Sequence, residues 1–322
     1  MSERDDESSA RSRAKRGDKK IGLLIGREWS WPSAFITEVN KREAGVTAEF
    51  VKLGGTFVDR KPDYDVIIDR MSHEIPYYRV FLKFAALSGT YVINNPFTWA
   101  ADDKFFGEAL ARHLGFKTPR TVVLPNKRVE TQVVPESFRN LEYPMNWQGI
   151  IDYVGVPAIL KDAHTGGRRI SHRVFDVDDL IQKYDESDTL TMLLQQIIDS
   201  DEHVHCFVIG QQYCRALRYA VTERAYLPDH GSLSQELVEQ IQEGALRLSR
   251  AYGYDMNMVE YVVKDGEPFV INTTNPAPDM DINLLKPAHF SWCVSKMADF
   301  AIPMALSPQP QYAGWQTVES SA

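Results

Sequence analysis

The chain has 322 residues, enough for one large domain or two to three smaller ones with buried cores. Its 36 lysines and arginines against 44 aspartates and glutamates give a formal charge of −8, which argues against nucleic acid as the main partner, because phosphate binding needs a dense basic face. Three cysteines (Cys206, Cys214, Cys293) are too few for a disulfide framework and fit a reducing cytoplasm; no apolar run of about 18 residues predicts a membrane span, and the polar N-terminus lacks the apolar stretch of a signal peptide.

Residues 1–20 carry seven basic and five acidic side chains and only three apolar ones, so they are expected to be a disordered tail. Order is expected from Ile21. IGLLIG is a short apolar run closed by Gly26, which predicts a buried strand. Residues 31–42 space Ala34, Phe35, Ile36 and Val39 as a helix does. VTAEFVKL and DVIIDR read as strands, 75–87 as a helix, and GTYVINN as a further strand. Strands alternating with helices predict a parallel sheet, here assigned to a first domain over 21–96.

A helix is expected over 98–114, stopped by Gly115. A strand follows between Pro119 and Pro125, then a polar loop over 126–144 and a short helix over 147–154. PAILKD and SHRVFD predict two strands joined by the glycine turn HTGGRR. VDDLIQKYDE predicts a helix, and LTMLLQQIID and HVHCFVIG predict strands. The latter pairs with GQQYCRALRYA through Gly210-Gln211. Residues 233–252 form a long amphipathic pattern. MNMVEYVV and EPFVINTT predict a hairpin around Asp265-Gly266, and 290–305 predicts a last helix. The expected division is 97–190 and 191–305 as two α+β lobes, with 306–322 as a C-terminal tail.

Several residues in this order suit a nucleoside triphosphate. Lys104 on a helix and Lys161 at the end of an apolar strand are point cations from different elements. The HTGG turn can bring backbone N–H groups over phosphates. Glu260 is a carboxylate in an otherwise apolar strand, and it faces a strand that ends in Asn272 and leads to Asn275. Oxygen ligands of this kind suit magnesium shared with phosphate oxygens. The phosphate loop GxxxxGK[ST] is absent from the sequence.

Four stretches in this order resemble the ATP-grasp superfamily: VINNPFTWAADDKFFGEALARHLGFKTPRTVVLP, VPAILKDAHTGG, LLQQIIDSDEHVHCFVIG and GYDMNMVEYVVKDGEPFVINTTNPAPDMD. Glutathione synthetase-like and RimK-like ligases are similar types, and uncharacterised bacterial ATP-grasp proteins with a GYDMN…NPAPD ending are more similar still. The resemblance spans about residues 21–300. It implies a small parallel-sheet domain followed by two lobes that clamp ATP, with ATP and magnesium as cofactors. It also implies roles. Lys104 and Lys161 would hold phosphates, and Gly166 and Gly167 would lie in the loop over them. Gln195, Gln196, Ile197 and Ile198 would form the adenine hinge, and Glu202 would bind ribose. Arg218 would point at the γ-phosphate or the acyl group. Glu260, Asn272 and Asn275 would hold the metal.

The sequence also departs from the family pattern. The acidic residue usual on the second hairpin strand is replaced by Asn272, or by Val270 if the hairpin aligns two residues differently. Gln196 stands where a hinge glutamate is common, His205 where an arginine is usual, and Asp162 where a proline is common. Asp279 and Asp281 would restore charge if the NPAPDMD loop folds back. The resemblance implies a ligase that joins a carboxylate to an amine or thiol through an acyl phosphate, acting on a small-molecule or peptide carboxylate, in the cytoplasm and as a homodimer. A nucleotide-binding protein with weakened or no catalysis is the alternative that the missing carboxylate favours. Arg27, Trp29 and Trp31, after the first strand, stand where ligands bind in parallel-sheet folds, or else serve packing.

Overall fold

The computed structural model describes residues 19–99, 103–129, 134, 139–164, 171–200, 202–229, 231–309 and 311. It holds one parallel sheet and two antiparallel sheets with helices packed on them. The first sheet comprises β1 (Lys19–Leu24), β2 (Val46–Phe50), β3 (Val66–Asp69) and β4 (Tyr91–Ile93), all parallel, in the order β2-β1-β3-β4. All four residues of β3 are buried, as a strand covered on both faces must be. Helix α1 (Ser30–Lys41) buries Trp31, Phe35 and Val39 at four-residue spacing, and α2 (Pro76–Leu87) buries Phe81, Leu82 and Ala85. Strand β1 begins at Lys19, two residues before the expected start of order. Asp65 explains this: it takes the Lys19 ammonium at 2.7 Å and the Lys20 backbone N–H at 2.9 Å. The rest of the expected tail lies outside the described residues.

Helix α3 (Lys104–His113) is shorter than the expected 98–114, because Asp103 caps it by accepting the Phe106 N–H at 2.8 Å. The second sheet is β5 (Thr121–Leu124), β6 (Ala158–Asp162), β7 (Ser171–Val174) and β8 (Met192–Gln196), in the order β5-β8-β6-β7. Helices α4 (Trp147–Val154) and α5 (Val177–Asp185) build a core with it around Leu124, Ile151, Leu160, Leu180 and Leu194.

The third sheet is β9 (Glu202–Ile209), β10 (Tyr213–Ala220), β11 (Ala225–Tyr226), β12 (Met256–Lys264) and β13 (Glu267–Asn272), in the order β11-β10-β9-β12-β13. Asp265 and Gly266, at φ 52° and 77°, make the tight turn that the Asp-Gly pair predicts. Helix α6 (Gln235–Tyr252) covers one face with Leu237, Ile241, Ala245 and Leu248. Ser234 caps it by accepting the Leu237 N–H at 3.1 Å, and Gly253, left-handed at φ 69°, ends it. The other face packs on α7 (Ile282–Leu306) and, through it, on the first sheet and α1. Helix α7 starts eight residues before the expected 290. Asp281 caps a first turn, Lys286 breaks the helix at φ 62°, and Pro287 restarts it. Gln311, in the expected tail, hydrogen-bonds both backbone groups of Val92 on edge strand β4, at 2.8 and 2.6 Å. Among the described residues no helix is long and apolar enough to cross a membrane.

Candidate functional site

On β6, Ala158 and Leu160 point into the core under α4 and α5, so Lys161 stands on the opposite face. Gln195 shares that face, since it pairs with Ile159 across β6 and β8. The Lys161 ammonium donates to Gln195 Oε1 at 2.7 Å, and the Gln195 amide donates to Glu108 Oε1 on α3. Burial pushes the Glu108 carboxyl up, while the nearby Lys161 and Arg112 charges pull it down. Lys104, at the first turn of α3, donates its ammonium to the Asp162 carbonyl at 3.1 Å and its backbone N–H to Ala163 O at 3.2 Å. Lys104 is therefore anchored at the C-terminal end of β6, on the backbone carbonyl of the residue after Lys161. Ile197 and Ile198, both half-buried, lie on the connection between β8 of the second sheet and β9 of the third. Gln196 holds the start of this connection in place, its backbone N–H donating to Arg120 O at 2.9 Å. Gly166 and Gly167 lie outside the described residues.

The hairpin forms the second half of the site. Glu260 and Asn272 are direct cross-strand partners, and the Asn272 amide donates to Glu260 Oε1 at 3.0 Å. On the other side Glu260 pairs with His205 of β9. His205 Nδ1 shares a hydrogen bond with the Tyr226 hydroxyl at 3.0 Å, and its ring stacks on Tyr219 at 4.4 Å. Burial lowers the affinity of His205 and His203 for protons, and Glu260 partly offsets this. Asn275 is held through its backbone: its N–H donates to Asn257 Oδ1 at 2.9 Å and its carbonyl accepts from Met258 N. Buried Asn257 also donates to Thr273 O at 3.0 Å, and so fixes the strand exit that carries Asn272 and Asn275. Asn257 closes the GYDMN stretch, but the sequence alone gives its side chain no role, which depends on the two strand ends it bridges.

Helix α3 joins the two halves. Glu108 reaches Gln195 in the second sheet, while Gly107 lies against Thr273, the residue after Asn272. A Cβ at Gly107 would stand 2.9 Å from the Tyr252 hydroxyl, and the backbone approaches this closely only because no side chain intervenes.

Among the described residues no group of three His, Cys, Asp or Glu side chains is placed to hold a metal. Glu260 could offer one carboxylate, and the amides of Asn272 and Asn275 could offer neutral oxygens. This donor set fits magnesium that arrives with nucleotide phosphates rather than a cation caged by protein alone.

Glu202 and Arg218 form an ion pair on the face of the third sheet opposite Glu260. They engage each other, with Arg218 Nε and Nη2 donating to the Glu202 carboxylate at 2.9 and 2.6 Å. Arg218 also meets Asp229 at 3.2 Å. The strand alternation gives the reason. Arg218 and Glu202 follow the parity of Ala216 and Val204, which pack under α6, whereas Glu260 follows the parity of His205 on the opposite face. Asp279 and Asp281 take up hydrogen bonds within the loop after the hairpin and at the start of α7. Asp281 caps α7 and accepts from the Ser30 hydroxyl at 2.8 Å, and Asp279 accepts the Asp281 N–H at 2.9 Å.

These two aspartates also line a crevice of about 470 Å³ with Arg27, Glu28, His73 and Glu74. The crevice opens beyond the C-terminal ends of β1 and β3, where the strand order reverses direction and ligands of open parallel sheets bind. Arg70 anchors it from within: fully buried, it pairs with Glu28, donates to Pro278 O at 2.6 Å, and so ties the first sheet to the loop after the hairpin. Trp31 is core, stacked on Phe35, whereas Trp29 is 82% exposed.

No family model and no curated protein matches the chain. Solved structures do. A RimK domain ATP-grasp protein from Sphaerobacter thermophilus matches at 21% identity and a TM-score of 0.63, over 87% of this chain and 98% of its own. The D-alanine–D-alanine ligase from Bacillus anthracis matches at 19% identity and a TM-score of 0.62, over 89% and 97%. The same ligase complexed with ATP matches at 18% identity and a TM-score of 0.58, over 89% and 97%. A parallel sheet that leads into two antiparallel sheets, aligned along nearly the full length of these structures, identifies the chain as having the ATP-grasp fold.

Proposed function

We propose that the chain binds ATP with magnesium between the second and third sheets and is an ATP-dependent ligase. The observation that carries this reading is the anchoring of Lys104 on the backbone carbonyl next to Lys161 at the end of β6, with α3 also reaching Gln195 and, at Gly107, the strand exit after Asn272. The lysines would neutralise phosphate charge, and Gly166 and Gly167 would lie over the phosphates. Residues 195–198 would flank the base, whereas Glu202, engaged by Arg218 on the face opposite Glu260, is left out of this arrangement. Glu260, with the amide oxygens of Asn272 and Asn275, would hold magnesium, which supplies charge neutralisation at the phosphates.

In the proposed reaction a substrate carboxylate oxygen attacks the γ-phosphorus and ADP leaves. An amine or thiol then attacks the acyl carbon, phosphate departs and the nucleophile loses its proton. The switch-point crevice is the site we assign to the substrates. The chain's own contribution is orientation and electrostatic complementarity, since no side chain has to form a covalent bond. Phosphate release in the presence of ATP, magnesium and pools of amino acids and short peptides tests the reading. Turnover that depends on a pool component supports it. One observation favours a second reading, nucleotide binding without turnover: a neutral amide at Asn272 leaves the hairpin with a single carboxylate. ATP binding with no phosphate release from any pool would select that reading.

A further inference from the structure

Beside the switch-point crevice, and sharing residues 26–29 with it, lies a second and larger groove of about 710 Å³. It opens beyond the C-terminal ends of β1 and β2 and is walled by the first turn of α2. Its volume is within the range of sites that hold drug-sized ligands, and well above the needs of one small amino acid.

Its surface has two chemical features. The first is aromatic: Trp29 is 82% exposed and Phe50 and Tyr77 are over a third exposed, with Tyr78 beside them. Four rings around one groove, three of them exposed, are an unusual use of apolar surface in a folded domain. The wall is fixed rather than adventitious. The Tyr77 hydroxyl donates to the Gly54 carbonyl and hydrogen-bonds the Thr56 hydroxyl at 2.8 Å, tying the loop after β2 to α2. The second feature is charge. Among the described residues the groove is lined by two cations, Arg27 and Lys52, and one carboxylate, Glu28. Buried Arg70 already neutralises Glu28, so the groove presents net positive charge to a ligand.

We infer that this groove binds the non-reacting arm of the ligase substrate, and that this arm carries a planar apolar group with an anionic group beside it. The inference rests on the ligase reading above and names the substrate class for it. The rings stack on the planar group, Arg27 and Lys52 attract the anion, and the shared segment 26–29 lets one molecule span groove and crevice. The substrate is then an acid larger than a free small amino acid.

The test is calorimetric titration of the full chain without nucleotide, using 3-phenylpropionate, its neutral counterpart 3-phenylpropanol, and propionate. Phenylpropionate is expected to bind, the alcohol about tenfold more weakly because it forgoes two exposed cations, and propionate without measurable heat. Trp29→Ala should abolish binding of the aromatic anion. Arg27→Ala with Lys52→Ala should remove the preference for the anion over the alcohol, with unchanged melting temperatures because all three side chains are exposed. The inference is overturned if phenylpropionate gives no heat at millimolar concentration, if acid and alcohol bind alike to the unaltered chain, or if the variants bind as it does. Since nucleotide is omitted, such a failure leaves ATP binding untouched, and a failure of ATP binding leaves this titration readable.

Discussion

Asp255 lies just before β12, where the first sheet meets the third. The Tyr91 hydroxyl of β4 donates to its Oδ2 at 2.7 Å, and the Gln211 amide of the β9–β10 turn donates to Oδ1 at 3.1 Å. Burial raises its carboxyl from 3.8 to about 6, against the pull of those two hydrogen bonds. The folded protein thus holds this proton more tightly than the unfolded chain. Stability from the protonated group is fully present below about pH 4 and is lost as pH rises through about 6. A rise of about two pH units corresponds to roughly 3 kcal/mol at neutral pH. Asp255→Asn is neutral at every pH, keeps an oxygen for Tyr91, and offers its amide to Gln211 after that side chain rotates. Urea unfolding near pH 4 and near pH 8 is the assay. The variant should match the unaltered chain at the acidic end and exceed it by up to about 3 kcal/mol at the alkaline end. A difference between the two proteins that does not change with pH would refute the reasoning.

Two further substitutions probe the site. Gly107→Ala should destabilise by about 1–3 kcal/mol in urea unfolding, despite alanine's higher helix propensity, because the new methyl meets Thr273 and the Tyr252 hydroxyl. Asn272→Asp sets two carboxylates opposite each other, so its melting temperature should fall without magnesium and rise with magnesium more than that of the unaltered chain. A variant with the same magnesium response as the unaltered chain would remove Asn272 from the ligand set.

Much of the architecture is legible in the sequence, because the apolar spacing of α1, α2 and α6 and the Asp-Gly turn of the last hairpin depend on local chemistry. Boundaries set by distant partners are not. Strand β1 gains Lys19 and Lys20 from Asp65, and α7 gains its first turn from a cap that also contacts Ser30. Strand β11, at two residues, is too short for any periodicity. In the site, the pairing of Glu260 with Asn272 follows from strand parity in the hairpin, and the same parity read along β10 would have put Arg218 on the Ala216 face. Glu108 carries no signal in the sequence, because a glutamate on an amphipathic helix ordinarily faces solvent. Its burial follows from α3 being packed between two sheets, which no single segment encodes. Arg70 and His73 join the crevice only through the topology of the first sheet.

Binding of ATP with magnesium in the cleft is tested most directly by calorimetric titration of nucleotide into the unaltered chain, Lys161→Met and Lys117→Met. Lys161 stands at the cleft end of β6, while Lys117 is half-exposed and paired with Glu267 at 3.0 Å outside it. Loss of a charge beside phosphates should weaken binding at least about tenfold, and loss of a solvated ion pair should change it little. The expected result is tight binding by the unaltered chain and Lys117→Met, with Lys161→Met clearly weaker. No heat from the unaltered chain, or equal affinities for the two variants, would contradict the assignment of this cleft to ATP.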